Sequence, residues 1–346
     1  MNSIKKTKFF KITLSVIFIS IFIFGFIEIN NLLLRKSVTK PWDMGNKIGG
    51  FYNESEKYDM MFFGTSHSYC SFIPLYLYND LGLKSYVLAS QKQPLKISYR
   101  YIKDAVKHTK PKIIFVDIQA AIYKLDEDSA TVHSYCDYMP MSMNKLKMIA
   151  KDIPTEHKLE ALLPIISYHS RWSELKSEDF TVNSDKYEDD LKGYVMLKGQ
   201  SKSFLNGDDE QQKDLEKIKR AREKSYLNSN LKTISKIIDL AAKNDIKVIF
   251  VKTPVFYYDD YKDNIDIISK YIEKKNINFI DFNLYSEDMN LTKNDFYDPY
   301  HLNVAGAEKF NKFFINYMFD KGIYKDNSNL DEAWRERLEK YNINKE

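Results

Sequence analysis

The stretch Asp59-Met60-Met61-Phe62-Phe63-Gly64-Thr65-Ser66-His67 decides how this chain is read. Its first half is a short, unbroken apolar run, the pattern of a strand covered on both faces. Its second half breaks the run with a glycine, which allows a tight turn, and then presents a serine hydroxyl. In open α/β sheets ligands bind outside the carboxyl ends of the strands, so Ser66 falls where such sheets do their chemistry. The N-terminus of the following helix would stabilise a negative charge developing there. A serine after a strand is also a common helix cap, and that reading stays open beside the chemical one.

Outward from this point the pattern repeats. A helix around Ile73 to Asp80 is followed by a second apolar run at Tyr86–Ala89 and a helix from about Leu95 to Lys107. A third run, Lys112–Asp117, comes directly after Pro111. After an interval the alternation resumes, with helical spacing of Leu227, Leu231, Ile234, Ile238 and Ala241 in a helix from about Glu210 to Lys243. Strands at Lys247–Val251 and Asn278–Asp281 flank a helix near Asp259 to Lys274, and a helix from Ala305 to Asp320 closes the unit. Continuous apolar runs alternating with helices predict an α/β fold, a three-layer α/β/α sandwich around a mainly parallel sheet.

A second motif, Asp298-Pro299-Tyr300-His301, precedes that last helix. The spacing lets an Asp298 oxygen reach Nδ1 of His301 while Nε2 faces outward. His301 would then serve Ser66 as general base, and Asp298 would orient it. The alternative is that Asp298 and Asn303 merely cap the final helix.

A strand followed by G-x-S, an α/β/α core and D-x-x-H before the last helix resemble the SGNH (GDSL-like) hydrolase superfamily. The resemblance covers about residues 57–120 and 245–321. More narrowly, the N-terminal apolar segment and the Gly64-Thr65-Ser66-His67 start resemble DltD-type proteins and the exported acyltransferases of polysaccharide acetylation. It implies Ser66 as nucleophile, His301 as base and Asp298 as its orienter. It also implies a membrane-bound O-acyltransferase partner and a cell-surface polymer as substrate. Two departures bear on the oxyanion hole. The family's second block supplies a glycine amide, whereas Ala89-Ser90-Gln91-Lys92-Gln93-Pro94 has no glycine. Its third block supplies an asparagine, whereas Val116-Asp117-Ile118-Gln119 stands here. Backbone N–H groups of Ser66 and of Ser90 or Gln91 are the replacements, with the Gln119 side chain a further candidate. A missing donor costs about 3–4 kcal/mol of transition-state stabilisation, which suits a specialised transferase better than a fast general esterase.

At the N-terminus Lys5, Lys6, Lys8 and Lys11 precede an apolar run from Ile12 to Ile27. As a helix, Phe9 to Ile29 rises about 31 Å, roughly one hydrocarbon core. With no small-x-small cleavage site after it, the run predicts an uncleaved single-pass anchor rather than a removed signal peptide. The basic flank stays in the cytoplasm and the chain after Leu34 lies outside. The domain expectation is thus an anchor at 1–34, a stalk at 35–56, a core domain at 57–325 and a C-terminal helix at 326–346. In that last helix Ser328-x-x-Asp331 resembles a capping box, and Leu330, Trp334, Leu338 and Tyr341 form a stripe.

Between about 124 and 209 the strand–helix pattern lapses into polar, tyrosine-rich sequence, read as a mostly helical or irregular insertion. Within it Tyr168-His169-Ser170-Arg171-Trp172 is dense in recognition groups. Arg171 suits a phosphate or carboxylate, Trp172 a sugar ring, and His169 lies between them; packing of the insertion onto the core is the competing reading. His67, as Ser66's neighbour, points elsewhere and receives no role. Cys70 and Cys136 are too few for a disulfide framework, and either a single bridge or two buried thiols is open. The net charge of +4 with interspersed lysine and glutamate argues against nucleic acid. The six histidines lack metal-ligand spacing, and no cofactor is expected. Three functions remain: an acyltransferase to a surface polymer, a carbohydrate or lipid esterase using water, and a non-catalytic assembly protein retaining the fold.

Overall fold

The computed structural model describes residues 2–34, 43–122, 127–181, 187–206, 224–257, 262–325 and 331–346. A long helix α1 (Asn2–Leu33) precedes the body; its Phe9–Leu33 portion is long and apolar enough to cross a membrane, its most apolar stretch is exposed, and Leu33 at its end is buried.

The body is built on five parallel strands: β1 (Met60–Gly64), β2 (Ser85–Ala89), β3 (Ile113–Asp117), β4 (Lys247–Lys252) and β5 (Asn278–Asp281). Their order across the sheet is β2-β1-β3-β4-β5, all parallel. β1 to β4 are buried almost throughout, which is why their sequences read as continuous apolar runs. The chain leaves β1 toward β2 on one side and returns to β3 on the other, so the strand order reverses beside β1. That reversal opens a crevice at the carboxyl ends of β1 and β3.

Helices cover both faces. Pro74–Leu81 and Val304–Asp320 pack together on one, and Leu95–His108, Lys224–Lys243 and Lys262–Glu273 on the other. On the first face Phe62 stacks on Phe72 at 4.0 Å between ring centroids and on Phe115 at 5.3 Å, with Phe314 edge-on to Phe72 at 5.4 Å. These geometries are the favourable ones for aromatic pairs and fill the space between sheet and helix. The three-layer α/β/α expectation matches this architecture. The predicted starts of the helices at 210 and 259 fall on residues outside those described.

Several boundaries differ from the sequence reading. The stretch read as a stalk is packed from Met44 onward: Met44, Ile48 and Phe51 lie in the core, and buried Lys47 pairs with Asp189 at 3.2 Å. Residues 35–42 of that stretch lie outside the described set. The terminal helix runs Glu332–Lys345 and is capped by Asp331 itself, whose side chain accepts from Ala333 N–H. The capping box had assigned that role to Ser328, which lies outside the described residues, as does Leu330. Trp334 and Tyr341 are buried, Trp334 against Tyr78 at 4.7 Å, so the stripe is packing. Both cysteines are buried free thiols, and no bridge forms.

The insertion's described residues form short helices, among them Ser129–Cys136, Met143–Lys151, Lys158–Leu162, Ile165–Tyr168 and Ser177–Thr181. It returns along the sheet's edge. Val87 N–H donates to Lys192 O at 2.9 Å, and Gly193 adopts φ +92°, where a side chain would collide with the Val87 carbonyl. The return segment thereby occupies part of the open edge of β2. One residue pair later, Val195 N–H donates to Tyr69 O at 2.7 Å, tying the insertion to the turn that carries Ser66.

Candidate active site

Ser66 opens a single helical turn, Ser66–Tyr69, directly after β1. Thr65 caps that turn by accepting from His67 N–H. Gly64 is required by close approach: a Cβ there would lie 2.9 Å from Asp117 Cβ and collide with Ser68 Oγ. The cap of this turn is therefore Thr65, which leaves the Ser66 hydroxyl uncommitted to capping.

Asp298 and His301 sit on a two-stranded antiparallel ribbon, β6 (Phe296–Asp298) and β7 (His301–Leu302), where they face each other as a pair. The ribbon is too short to show as a strand pattern in the sequence. Asp298 Oδ1 accepts from Tyr300 N–H at 2.8 Å and His301 N–H at 3.0 Å. Both its oxygens lie 2.9 Å from His301 Nδ1. On the opposite side of the ring, Nε2 is 2.7 Å from Ser66 Oγ. Burial pulls the Asp298 carboxyl upward, but the hydrogen bond and charge of His301 and the two backbone N–H groups outweigh it and hold the pKa below the usual value. The helix Val304–Asp320 is capped by Asn303 alone, whose Oδ1 accepts from Gly306 N–H. Asp298 belongs to His301, not to the cap.

The neighbouring groups divide clearly. Tyr69 is buried beside Ser66; burial pushes its pKa well up, outweighing the lowering effect of the Ser66 side chain, so the phenol keeps its proton. Sequence reasoning missed it, because its place beside Ser66 depends on the helical turn. His67 packs 5.2 Å from the His301 ring, and its Nδ1 has no hydrogen-bond partner among the described residues. Burial, then the charges of Lys252 and His301, push its pKa well below the usual value, so it is neutral. Asp117 staples strand ends, accepting from Gln119 N–H at 2.8 Å and from Thr253 N–H and Oγ1 at 2.9 and 2.8 Å.

The remaining expected residues are placed as follows. Ser90 is fully buried and its hydroxyl donates to Gln93 Oε1 at 3.0 Å, while Gln119 is fully buried at the end of β3. Gln91 is partly exposed and lines a cavity of about 530 Å³ beneath the insertion. The His169–Trp172 segment packs on the end of α1. Arg171 donates to Leu33 O at 2.6 Å and to Asp179 Oδ1 at 2.9 Å, so its guanidinium is already engaged. His169 Nδ1 contacts Ile166 O at 2.8 Å, and Trp172 is exposed.

That cavity holds a second array of the same residue types. His133 Nδ1 lies 2.8 Å from Asp137 Oδ1 and Nε2 lies 2.9 Å from Ser167 Oγ. Here, however, Ser167 donates its proton to Glu160 at 2.7 Å. Burial disfavours charge on His133, yet Asp137, by hydrogen bond and charge, and Glu160 prevail and raise its pKa. A serine whose proton is directed to a carboxylate rather than to the imidazole is not arranged as a nucleophile beside its base.

The chain matches no protein-family model and no curated protein. Among solved structures it is similar to a proposed acylhydrolase from Bacteroides fragilis NCTC 9343, at 11% identity and a TM-score of 0.35, over 79% of this chain and 95% of that one. A likeness of that degree decides nothing about activity here.

Proposed function

We propose that the chain is a membrane-anchored serine acyltransferase of SGNH type, related in layout to DltD-type proteins, acting on acetyl or D-alanyl groups of a cell-surface polysaccharide or teichoic acid. The reading rests on one observation, the continuous hydrogen-bonded line from Ser66 Oγ through His301 to Asp298. In the proposed reaction Ser66 Oγ attacks an acyl carbonyl as its proton passes to Nε2. Collapse of the tetrahedral intermediate returns that proton to the leaving group and leaves an acyl-serine. A polymer hydroxyl, deprotonated by His301, then attacks the acyl-serine; the Ser66 Oγ–acyl bond breaks and Ser66 regains its proton from His301. The Ser66 N–H at the head of its turn and the Tyr69 hydroxyl are the donors we assign to the oxyanion, in place of the family's glycine and asparagine.

The apolar helix α1 and the lysines before it support a single-pass anchor with the body on the outer side. Tethering keeps the serine near a bilayer-borne acyl donor and fits a membrane-bound O-acyltransferase as partner. The same line of residues would serve an esterase with water as acceptor, and the acceptor alone separates the two. The 2.7 Å approach of Ser66 to His301 weighs against a non-catalytic role.

The test is intact mass of the full chain in native membranes after exposure to a fluorophosphonate, beside Ser66→Ala and His301→Ala. A single adduct on the wild type that both variants lack is the expected result. An unlabelled wild type overturns the reading. Transfer of label from a radioactive acyl donor to purified surface polymer, rather than to water, then selects transferase over esterase.

A further inference from the structure

We propose that residues 158–181 of the insertion form a membrane-interface surface that lies in the headgroup layer of the bilayer crossed by α1. The inference rests on the anchoring role of α1 given above. Two hydrogen bonds fix the level of this segment along the helix. Ile165 N–H donates to Asn30 Oδ1 at 2.9 Å, and Arg171 donates to the Leu33 carbonyl, one of the unsatisfied groups at the helix's end. Ile165–Tyr168, the turn His169–Glu174 and Ser177–Thr181 all pack on α1. The apolar run ends at Ile27 and Phe9–Ile29 is already long enough to span the hydrocarbon, so whatever is bonded to Asn30 and Leu33 sits at or just outside the boundary.

The side chains this segment exposes are those such a boundary accepts. Leu159, Trp172 and Phe180 are 60%, 65% and 63% exposed, and Leu162 and Ile166 are exposed as well. Five large apolar groups close together on short helices are unusual on a surface meeting only water. Tryptophan beside the end of a membrane helix is the residue most characteristic of that layer. Basic and acidic side chains are nearly balanced in this segment, so insertion of apolar groups, not attraction to anionic lipid, drives the contact. Trp172 and Arg171 thereby acquire a use that substrate binding did not supply. Because the same insertion donates Val195 N–H to Tyr69 O, the surface also sets the height of Ser66 above the bilayer.

The experiment uses the full chain in phosphatidylcholine nanodiscs with an environment-sensitive fluorophore on single introduced cysteines; native Cys70 and Cys136 are buried. Labels go at Leu162→Cys, Phe180→Cys, Ile19→Cys in α1, and Leu284→Cys as an exposed site remote in sequence. Lipids spin-labelled near the headgroup are expected to quench the 162 and 180 labels, deep spin labels the Ile19 label, and neither the 284 label. Replacing a third of the lipid by phosphatidylglycerol is expected to leave the quenching unchanged. Quenching at 19 with none at 162 and 180 overturns this proposal while leaving the anchor standing. No quenching at 19 overturns the anchor itself. Shielding of 162 and 180 from both lipid and aqueous quenchers would assign the surface to a second copy or another protein, and would also overturn the proposal.

Discussion

At the scale of single residues, the line Ser66–His301–Asp298 makes separable predictions. Asp298→Asn keeps the ribbon's shape but removes the carboxylate that fixes the imidazole tautomer. Fluorophosphonate labelling is expected to slow by about 10⁴-fold while the circular dichroism spectrum is unchanged. The same carboxyl has a depressed pKa in the folded protein, so the stability it contributes is present above the ordinary aspartate value of about 3.9 and is lost as pH falls through the lower folded value. Melting temperatures of wild type and Asp298→Asn should therefore differ by a constant amount at neutral pH and converge below about pH 4. Tyr69→Phe removes a proposed oxyanion donor without opening a large cavity. Turnover is expected to drop about 10²-fold with KM little altered; an unchanged kcat would remove Tyr69 from the mechanism. Ser66, Asp298 and His301, which the structure brings together, were legible in sequence because each stands beside its own local signal, a broken apolar run or a D-x-x-H spacing. Tyr69 was not, since nothing in the letters says that one helical turn places it beside Ser66. Arg171 was misleading for a related reason: its partner, Leu33 O, is a backbone atom 138 positions away.

At the scale of elements, the strands were legible because burial on both faces leaves no alternation to decode. Asn278–Asp281 shows the limit, with Asn278 exposed at the sheet's edge. The 44–53 segment was misread because its polar letters conceal buried roles: Lys47 is held by Asp189 and by the Tyr194 carbonyl at 2.7 Å. The C-terminal helix docks through Trp334, whose indole N–H also donates to Glu56 at 2.8 Å. Trp334→Ala is expected to cost about 3–5 kcal/mol in urea unfolding, or to detach that helix alone, which limited proteolysis would reveal. Within the insertion, the raised pKa of His133 stabilises the Ser129–Tyr168 region fully below about pH 6.5, and that contribution fades as pH rises through the folded value. Hydrogen exchange corrected for intrinsic rate should show the wild-type region loosening as pH rises above about 6.5. His133→Gln should show no such trend.

At the scale of the molecule, the layers and the parallel sheet followed from the alternation of runs, whereas the strand order and the docking of insertion to α1 did not, because no sequence pattern pairs two segments that far apart. Full-length protein is expected to stay in the pellet on alkaline carbonate extraction; release into the supernatant would contradict a spanning α1. The line joining Ser66 to His301 closes over a separation of 235 residues. During synthesis the serine emerges long before the imidazole that would activate it. Every prefix of the chain ending before Asp298 carries an unassisted hydroxyl, as inert as any surface serine. On the proposed mechanism, chemical competence would arrive only when nearly the whole polypeptide has been made. A product of premature termination would be inactive rather than indiscriminately reactive.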